Sequence, residues 1–213
     1  LHVVVVANGE LPSGGHGAVR SLLRSADHVI AADGGLRHCR TLDVWPDQLV
    51  GDLDSAPPEI VTQAAELGIE VHKWPANKDA TDLELALERA VSMGASQVTV
   101  ATGFGGRLDH ELATLGLVAA DRWAGMAMAA TDGRRSVWIV RDKASLSLPV
   151  GATLSLVPWG GPAAGVTTTG LQWPLHGEPL DLGSTRGVSN VAAAPEQTVS
   201  LRDGVLLAVS DVV

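Results

Sequence analysis

The chain has 213 residues, with 24 acidic against 15 basic side chains, a formal charge of −9, and 46% apolar but only 18% charged residues. This composition excludes a disordered chain, and the net acidity disfavours a nucleic-acid surface, whose phosphates call for clustered Lys and Arg. The longest apolar runs, such as residues 3–7, are strand-sized and far short of the roughly 20 residues of a membrane helix.

The chain opens at Leu1 on an apolar run without the basic flank of a signal peptide, and a start upstream of it is left open. Residues 2–7, 28–32, 48–50, 69–73 and 97–101 are short Val/Ile/Leu-rich runs that predict strands. Between them, 17–25 and 57–67 predict helices, the second opening on prolines where a missing N–H costs nothing. Cys39 lies in a further helix, far from any His, Asp and Asn set, and reads as a core residue. As the lone cysteine it forms no intramolecular disulfide, which points to a reducing, cytoplasmic setting.

Residues 79–92 give the clearest helix. Thr81 followed by Glu84 makes a capping box, and Leu83, Leu87, Ala90 and Val91 share one face. Another amphipathic stretch covers 108–123, and the turn Thr131-Asp132-Gly133-Arg134 between two apolar runs reads as a hairpin signal. From Lys143 onward short alternating runs (146–148, 153–157, 165–168, 198–201, 205–209) are separated by Gly and Pro. The elements therefore predict an α/β domain over residues 1–142, with a parallel sheet covered by helices, and an all-β domain over 143–213.

In an open parallel sheet, ligands bind beyond the carboxyl ends of the strands. There the sequence places Asp33-Gly34-Gly35, Gly51-Asp52-Leu53-Asp54-Ser55, Lys78-Asp79-Ala80-Thr81-Asp82 and Gly103-Phe104-Gly105-Gly106-Arg107-Leu108-Asp109-His110. Each alone has a bland reading: an Asp-Gly turn, a solvated acidic loop, a surface ion pair. Together they say more. Asp52 and Asp54 fall on one side of an extended segment, and oxygen ligands so placed suit Mg²⁺. Carboxylates converging from several strand ends repel unless a divalent cation screens them. Lys78 and Arg107 are the natural partners of polyphosphate oxygens, and the glycines at 103, 105 and 106 allow backbone N–H groups to approach an anion. His110 reads equally as a site residue or a structural one. Neither a P-loop nor the Gly-x-Gly-x-x-Gly dinucleotide fingerprint is present.

These four blocks, in this order, resemble the thiamine pyrophosphokinase family, and the resemblance extends to Thr169-Gly170-Leu171-Gln172-Trp173-Pro174-Leu175 and Gly187-Val188-Ser189-Asn190. It implies an N-terminal three-layer, Rossmann-like α/β ATP-binding domain followed by a β-sandwich. It implies a homodimer with the thiamine site at the subunit interface, and transfer of pyrophosphate from ATP to the hydroxyl of thiamine, giving thiamine diphosphate and AMP. Carried over by position, Asp52, Asp54 and Asp82 would hold Mg²⁺ and share the catalytic role with Lys78 and Arg107. Asp33, Gly34, Thr81, Arg107 and Asp109 would bind ATP, while Trp173, Ser189 and Asn190 would contact thiamine. The sequence departs from the family at Thr114, where Asn is expected, and at Val191, where an acidic residue often follows Ser-Asn.

The chemistry of the substrate agrees with the assignment. Thiamine carries a thiazolium cation that an acidic pocket attracts and that, with its pyrimidine, can stack on the Trp173 indole. A core role in the β domain is the plain alternative for that tryptophan. Two rival functions are a metal-dependent nucleotide-sugar transferase, since Asp-x-Asp also holds sugar-nucleotide diphosphates, and a non-catalytic nucleotide-binding regulator.

Overall fold

A computed structural model describes residues 1–53, 58–75 and 79–211, and the chain forms two compact units, Leu1–Gly133 and Arg134–Val213.

The first unit is built on six parallel strands: β1 (His2–Val6), β2 (His28–Ala32), β3 (Gln48–Gly51), β4 (Glu70–Lys73), β5 (Gln97–Ala101) and β6 (Ala127–Thr131). They lie in the order β6-β5-β1-β2-β3-β4. The central strands are nearly continuous Val and Ala because both of their faces are covered. On one face Val4, Val6, Val29, Ala31 and Leu49 meet Val19 and Leu23 of α1 (His16–Ser25), Leu36 and Cys39 of α2 (Gly35–Thr41), and Ala64 of α3 (Pro58–Glu66). Strand alternation leaves Val3, Val5, Ile30 and Val50 for the other face, and α4 (Asp82–Ser92) lies across β1, β2 and β3. Burial pushes the Cys39 thiol up to about 12, so it is an inert core group.

Two helices are shorter than their apolar patterns suggest. α4 begins at Asp82 rather than near residue 79, because Thr81 takes an extended conformation and its Oγ1 accepts the Glu84 N–H at 3.2 Å. α5 (Leu108–Val118) stops five residues before Trp123, whose indole Nε1 donates to the Leu117 carbonyl at 2.7 Å from a short 3₁₀ turn at Asp121–Trp123. The apolar side chains of 119–123 therefore seal the end of the helix instead of extending it.

The second unit holds two antiparallel sheets. One has the order β12-β9-β14-β7, from β12 (Asn190–Val191), β9 (Thr153–Pro158), β14 (Leu206–Asp211) and β7 (Arg135–Val140). The other has the order β11-β10-β13-β8, from β11 (His176–Leu180), β10 (Ala163–Thr169), β13 (Gln197–Ser200) and β8 (Lys143–Leu146). Both sheets feed one buried cluster: Val140, Leu154, Leu156, Leu206 and Ala208 from the first, Leu146, Val166, Leu180 and Val199 from the second. Because β7 pairs along its whole length with β14, this unit starts ahead of the 142/143 division read from the sequence. β11 carries Pro179 and little apolar patterning, and is tolerated because it is an edge strand. Among the described residues no helix is long and apolar enough to cross a membrane.

Candidate active site

The order of the first sheet reverses direction between β1 and β5, so the chain leaves these neighbours toward opposite sides and opens a crevice at their carboxyl ends. Backbone ties fix its floor. Thr102, buried in the left-handed conformation (φ 55), donates from Oγ1 to the Ala7 carbonyl at 2.7 Å, and Gly9 N donates to the Thr102 carbonyl at 2.8 Å. A Cβ on Gly9 would stand 2.4 Å from that carbonyl oxygen, so only glycine permits the approach. His38 of α2 secures the same loop, its Nε2 lying 2.8 Å from the Gly9 carbonyl. A carbonyl only accepts, so this ring nitrogen carries the proton.

Above the floor is a cleft of about 890 Å³ lined by Asn8, Gly9, Glu10, Asp33, Asp52, Thr81, Asp82, Arg107 and His110. Three of its carboxylates converge: one oxygen each of Asp33, Asp52 and Asp82 lies within 4.8 Å of the others. Their origins explain the meeting. Asp33 follows β2, Asp52 follows the neighbouring β3, and Asp82 opens α4, which crosses both strands. Gly51 (φ 145) makes room, since a Cβ there would stand 3.0 Å from Asp82 Oδ1 and 3.2 Å from Asp33 Cβ. Asp33 is itself left-handed (φ 43) and buried, and its Oδ1 has no hydrogen-bond partner among the described residues. Two carboxylates at this range repel by about 3 kcal/mol at an effective dielectric of 20. An unpartnered buried oxygen beside two more carboxylates is a donor set suited to a hard divalent cation.

Arg107 is the N-cap residue of α5 and forms a two-point ion pair with Asp109, Nε to Oδ1 at 3.1 Å and Nη2 to Oδ2 at 2.6 Å. Both side chains are exposed. Their hydrogen bonds hold the Asp109 carboxyl below its usual range and the guanidinium above its own. Gly105 and Gly106 are both left-handed (φ 87 and 82), as a tight approach requires. The Gly105 N–H does not face an open anion site, however: Glu111 Oε1 accepts it. Gly34, at the start of α2, packs directly on the Asn8 side chain.

The structure thus gathers Asp33, Asp52, Thr81, Asp82 and Arg107 into one cleft, with Asp109 at its rim through Arg107. Asp54 and Lys78, expected in the same site, lie outside the described residues. Sequence reasoning missed Asn8 and Glu10. The signal was there, because they follow β1 just as Asp33 follows β2, but Asn-Gly-Glu carries no phosphate or metal motif. It also missed Glu111, whose role appears only once α5 folds back on the glycine turn.

In the second unit Trp173 is 55% exposed, which sets aside a core role. Asn190 is buried and bonds to the Trp173 backbone through both Oδ1 and Nδ2. Ser189, exposed and left-handed (φ 62), donates its N–H to Ser155 Oγ at 3.0 Å.

Comparison with known proteins converges on one family. The family described as thiamin pyrophosphokinase, catalytic domain, matches residues 19–126, and that described as thiamin pyrophosphokinase, vitamin B1 binding domain, matches residues 141–206. Thiamine pyrophosphokinase 1 of Oryza sativa subsp. japonica is 27% identical over 167 residues, covering 73% of this chain but 62% of the rice protein. The chain thus spans about three fifths of that relative. The thiamine pyrophosphokinase of Bacillus subtilis is 25% identical over 186 residues, 84% of each chain. The B. subtilis crystal structure shares the fold with a TM-score of 0.83 at 23% identity over 99% of both chains. A thiamin pyrophosphokinase from Geobacillus thermodenitrificans gives 0.80 at 25% identity, over 99% of this chain and 97% of that one. Neither rival function, sugar transferase or non-catalytic regulator, is favoured by these matches. With both family domains matched in order along the sequence, the chain belongs to the thiamin pyrophosphokinase family.

Proposed function

We propose that this chain transfers pyrophosphate from ATP to the hydroxyl of thiamine, releasing AMP and thiamine diphosphate. The observation that carries the reading is the convergence of Asp33, Asp52 and Asp82 in the cleft that also holds Arg107, inside the segment matching the family's catalytic domain. The strand order β6-β5-β1-β2-β3-β4 supports a three-layer, Rossmann-like reading of the first unit, and the core shared by two antiparallel sheets supports a β-sandwich for the second.

The three carboxylates fit Mg²⁺, the buried orphan oxygen of Asp33 being the strongest sign. Bound there, the cation would supply neutralisation of phosphate charge. The chain's own groups do the rest. Asp109 orients the Arg107 guanidinium through Nε and Nη2, and the remaining N–H groups on Nη1 and Nη2 are offered to phosphate oxygens at the cleft mouth. Thr81 fixes the first turn of α4 and so aims Asp82. Asp54 and Lys78 join the site by motif. The thiamine hydroxyl attacks the β-phosphorus in line with departing AMP, so catalysis rests on positioning and charge rather than on a covalent protein intermediate.

On the second unit we assign the thiamine ring contact to the exposed Trp173 indole, with Asn190 and Ser189 shaping the strap that presents it. A homodimer with the thiamine site at the subunit interface completes the reading. The exposed Leu108 and Leu112, one turn apart on α5, support it as apolar surface for a second copy. Purified protein given Mg²⁺ and ATP should release AMP only when thiamine is added. ADP as the sole nucleotide product, or no turnover, overturns the proposal.

A further inference from the structure

We infer that Glu111 is a positioning residue for the glycine turn that carries Arg107. Gly105 and Gly106, consecutive and both left-handed, have no side chains of their own to hold the turn, and glycine has more backbone freedom to lose than any other residue. The side chain of Glu10 crosses one side, occupying the space where a Cβ on Gly105 would stand. Glu111 closes the other. Its carboxylate Oε1 accepts the Gly105 N–H, while its backbone N–H donates to the Arg107 carbonyl at 3.1 Å within the first turn of α5, so one side chain ties the glycine turn to the start of the helix.

Glu111 is half-buried and does not line the cleft. It acts through the turn, not on a ligand. Two consequences follow. The Gly105 amide is committed to a protein carboxylate and is withheld from phosphate, so the turn meets an incoming polyphosphate through its other groups, the remaining Arg107 guanidinium N–H groups among them. Freeing Gly105 then gives the turn several conformations, most of which misplace Arg107, and nucleotide binding weakens without any contact to the nucleotide being removed.

This inference rests on the ATP-binding reading of the cleft, and its test separates the two. Glu111→Ala should raise the KM for ATP about tenfold, the scale of one hydrogen bond, and leave the KM for thiamine unchanged. Glu111→Gln keeps an Oε1 acceptor without the charge and should stay close to wild type. Hydrogen exchange supplies the arm that needs no turnover: the Gly105 amide should exchange at least about tenfold faster in Glu111→Ala and not in Glu111→Gln. A wild-type ATP KM in Glu111→Ala, equal weakening toward ATP and thiamine, or a Glu111→Gln enzyme as impaired as Glu111→Ala would each overturn the positioning role. Absence of thiamine-dependent AMP release by the wild-type enzyme would instead overturn the function, and the exchange measurement would still decide the role of Glu111.

Discussion

Asn190 grips Trp173 by both polar groups of its backbone: Oδ1 accepts the Trp173 N–H at 3.1 Å and Nδ2 donates to the Trp173 carbonyl at 2.6 Å. Oδ1 also takes the Val191 N–H at 2.9 Å, so the buried amide oxygen has both of its acceptor positions filled within the protein. The exposed indole therefore sits on a backbone fixed from beneath, an arrangement that would lower the entropic cost of the stacking proposed for it.

Asn190→Ala removes that grip and leaves the Trp173 N–H and carbonyl unpaired, a loss of about 1–3 kcal/mol. The KM for thiamine should rise about tenfold or more while the KM for ATP holds. Steady-state kinetics with each substrate varied in turn reads both, and an unchanged thiamine KM would detach Trp173 from the substrate site.

Asp33→Asn is expected to separate stability from activity. Asn tolerates the left-handed conformation of Asp33, so the backbone is not strained, and removing one of three converging charges relieves two repulsions of about 3 kcal/mol each at an effective dielectric of 20. The metal-free protein should melt at the same temperature or higher, the Mg²⁺-induced rise in Tm should shrink, and turnover should fall at least about a hundredfold. A variant with wild-type turnover and the full Mg²⁺ response would take Asp33 out of the cation site.

Stability should decline as the pH is lowered below neutrality. Burial lowers the pKa of His38, and of His2, beneath the usual 6.5. Below pH 6.5 the unfolded chain takes up protons that the folded chain refuses. The contribution of each ring is thus complete above pH 6.5, lost as the pH falls toward the depressed folded value, and constant below it. Melting curves between pH 5 and 8 should show this slope, and His38→Gln, whose amide can still donate to the Gly9 carbonyl, should flatten it. An identical slope in His38→Gln would assign the effect elsewhere.

Gln197 is one of the buried polar residues of the second unit. Fully buried, it accepts the Leu148 N–H at 3.0 Å and donates to the carbonyls of Leu148 and Ala194. Gln197→Leu preserves the bulk but orphans those backbone groups, and urea unfolding should show a loss of about 2–3 kcal/mol. A loss under about 0.5 kcal/mol would mean that water or a shifted strand replaces the amide.

The first unit's strands were legible because parallel strands covered on both faces must be apolar throughout, which residues 3–6 and 29–32 display directly. Thr81 was equally plain, since a capping residue acts within three positions of itself. What the sequence hides is the company a residue keeps. Asp33 read as an ATP contact in a turn, and its place in the carboxylate cluster depends on β2 lying beside β3, with α4 returning over both. Asp52 reads as a cation ligand from its Asp-x-Asp spacing and Asp82 only through the family resemblance, and the structure brings both together with Asp33. The strands β11 and β12 escaped notice because one is a proline-bearing edge and the other only two residues long, neither with an alternating pattern to find.

Cys39 makes the molecule a reporter of its own opening. The only thiol in 213 residues is sealed between α2 and the sheet, in a form that stays protonated at neutral pH. A thiol reagent can reach it only when α2 lifts away, so the labelling rate, followed with and without nucleotide, measures how firmly the wall next to the cleft is shut. The same burial leaves the folded surface free of native thiols, ready for a single cysteine placed beside Trp173 or Arg107 to carry a probe.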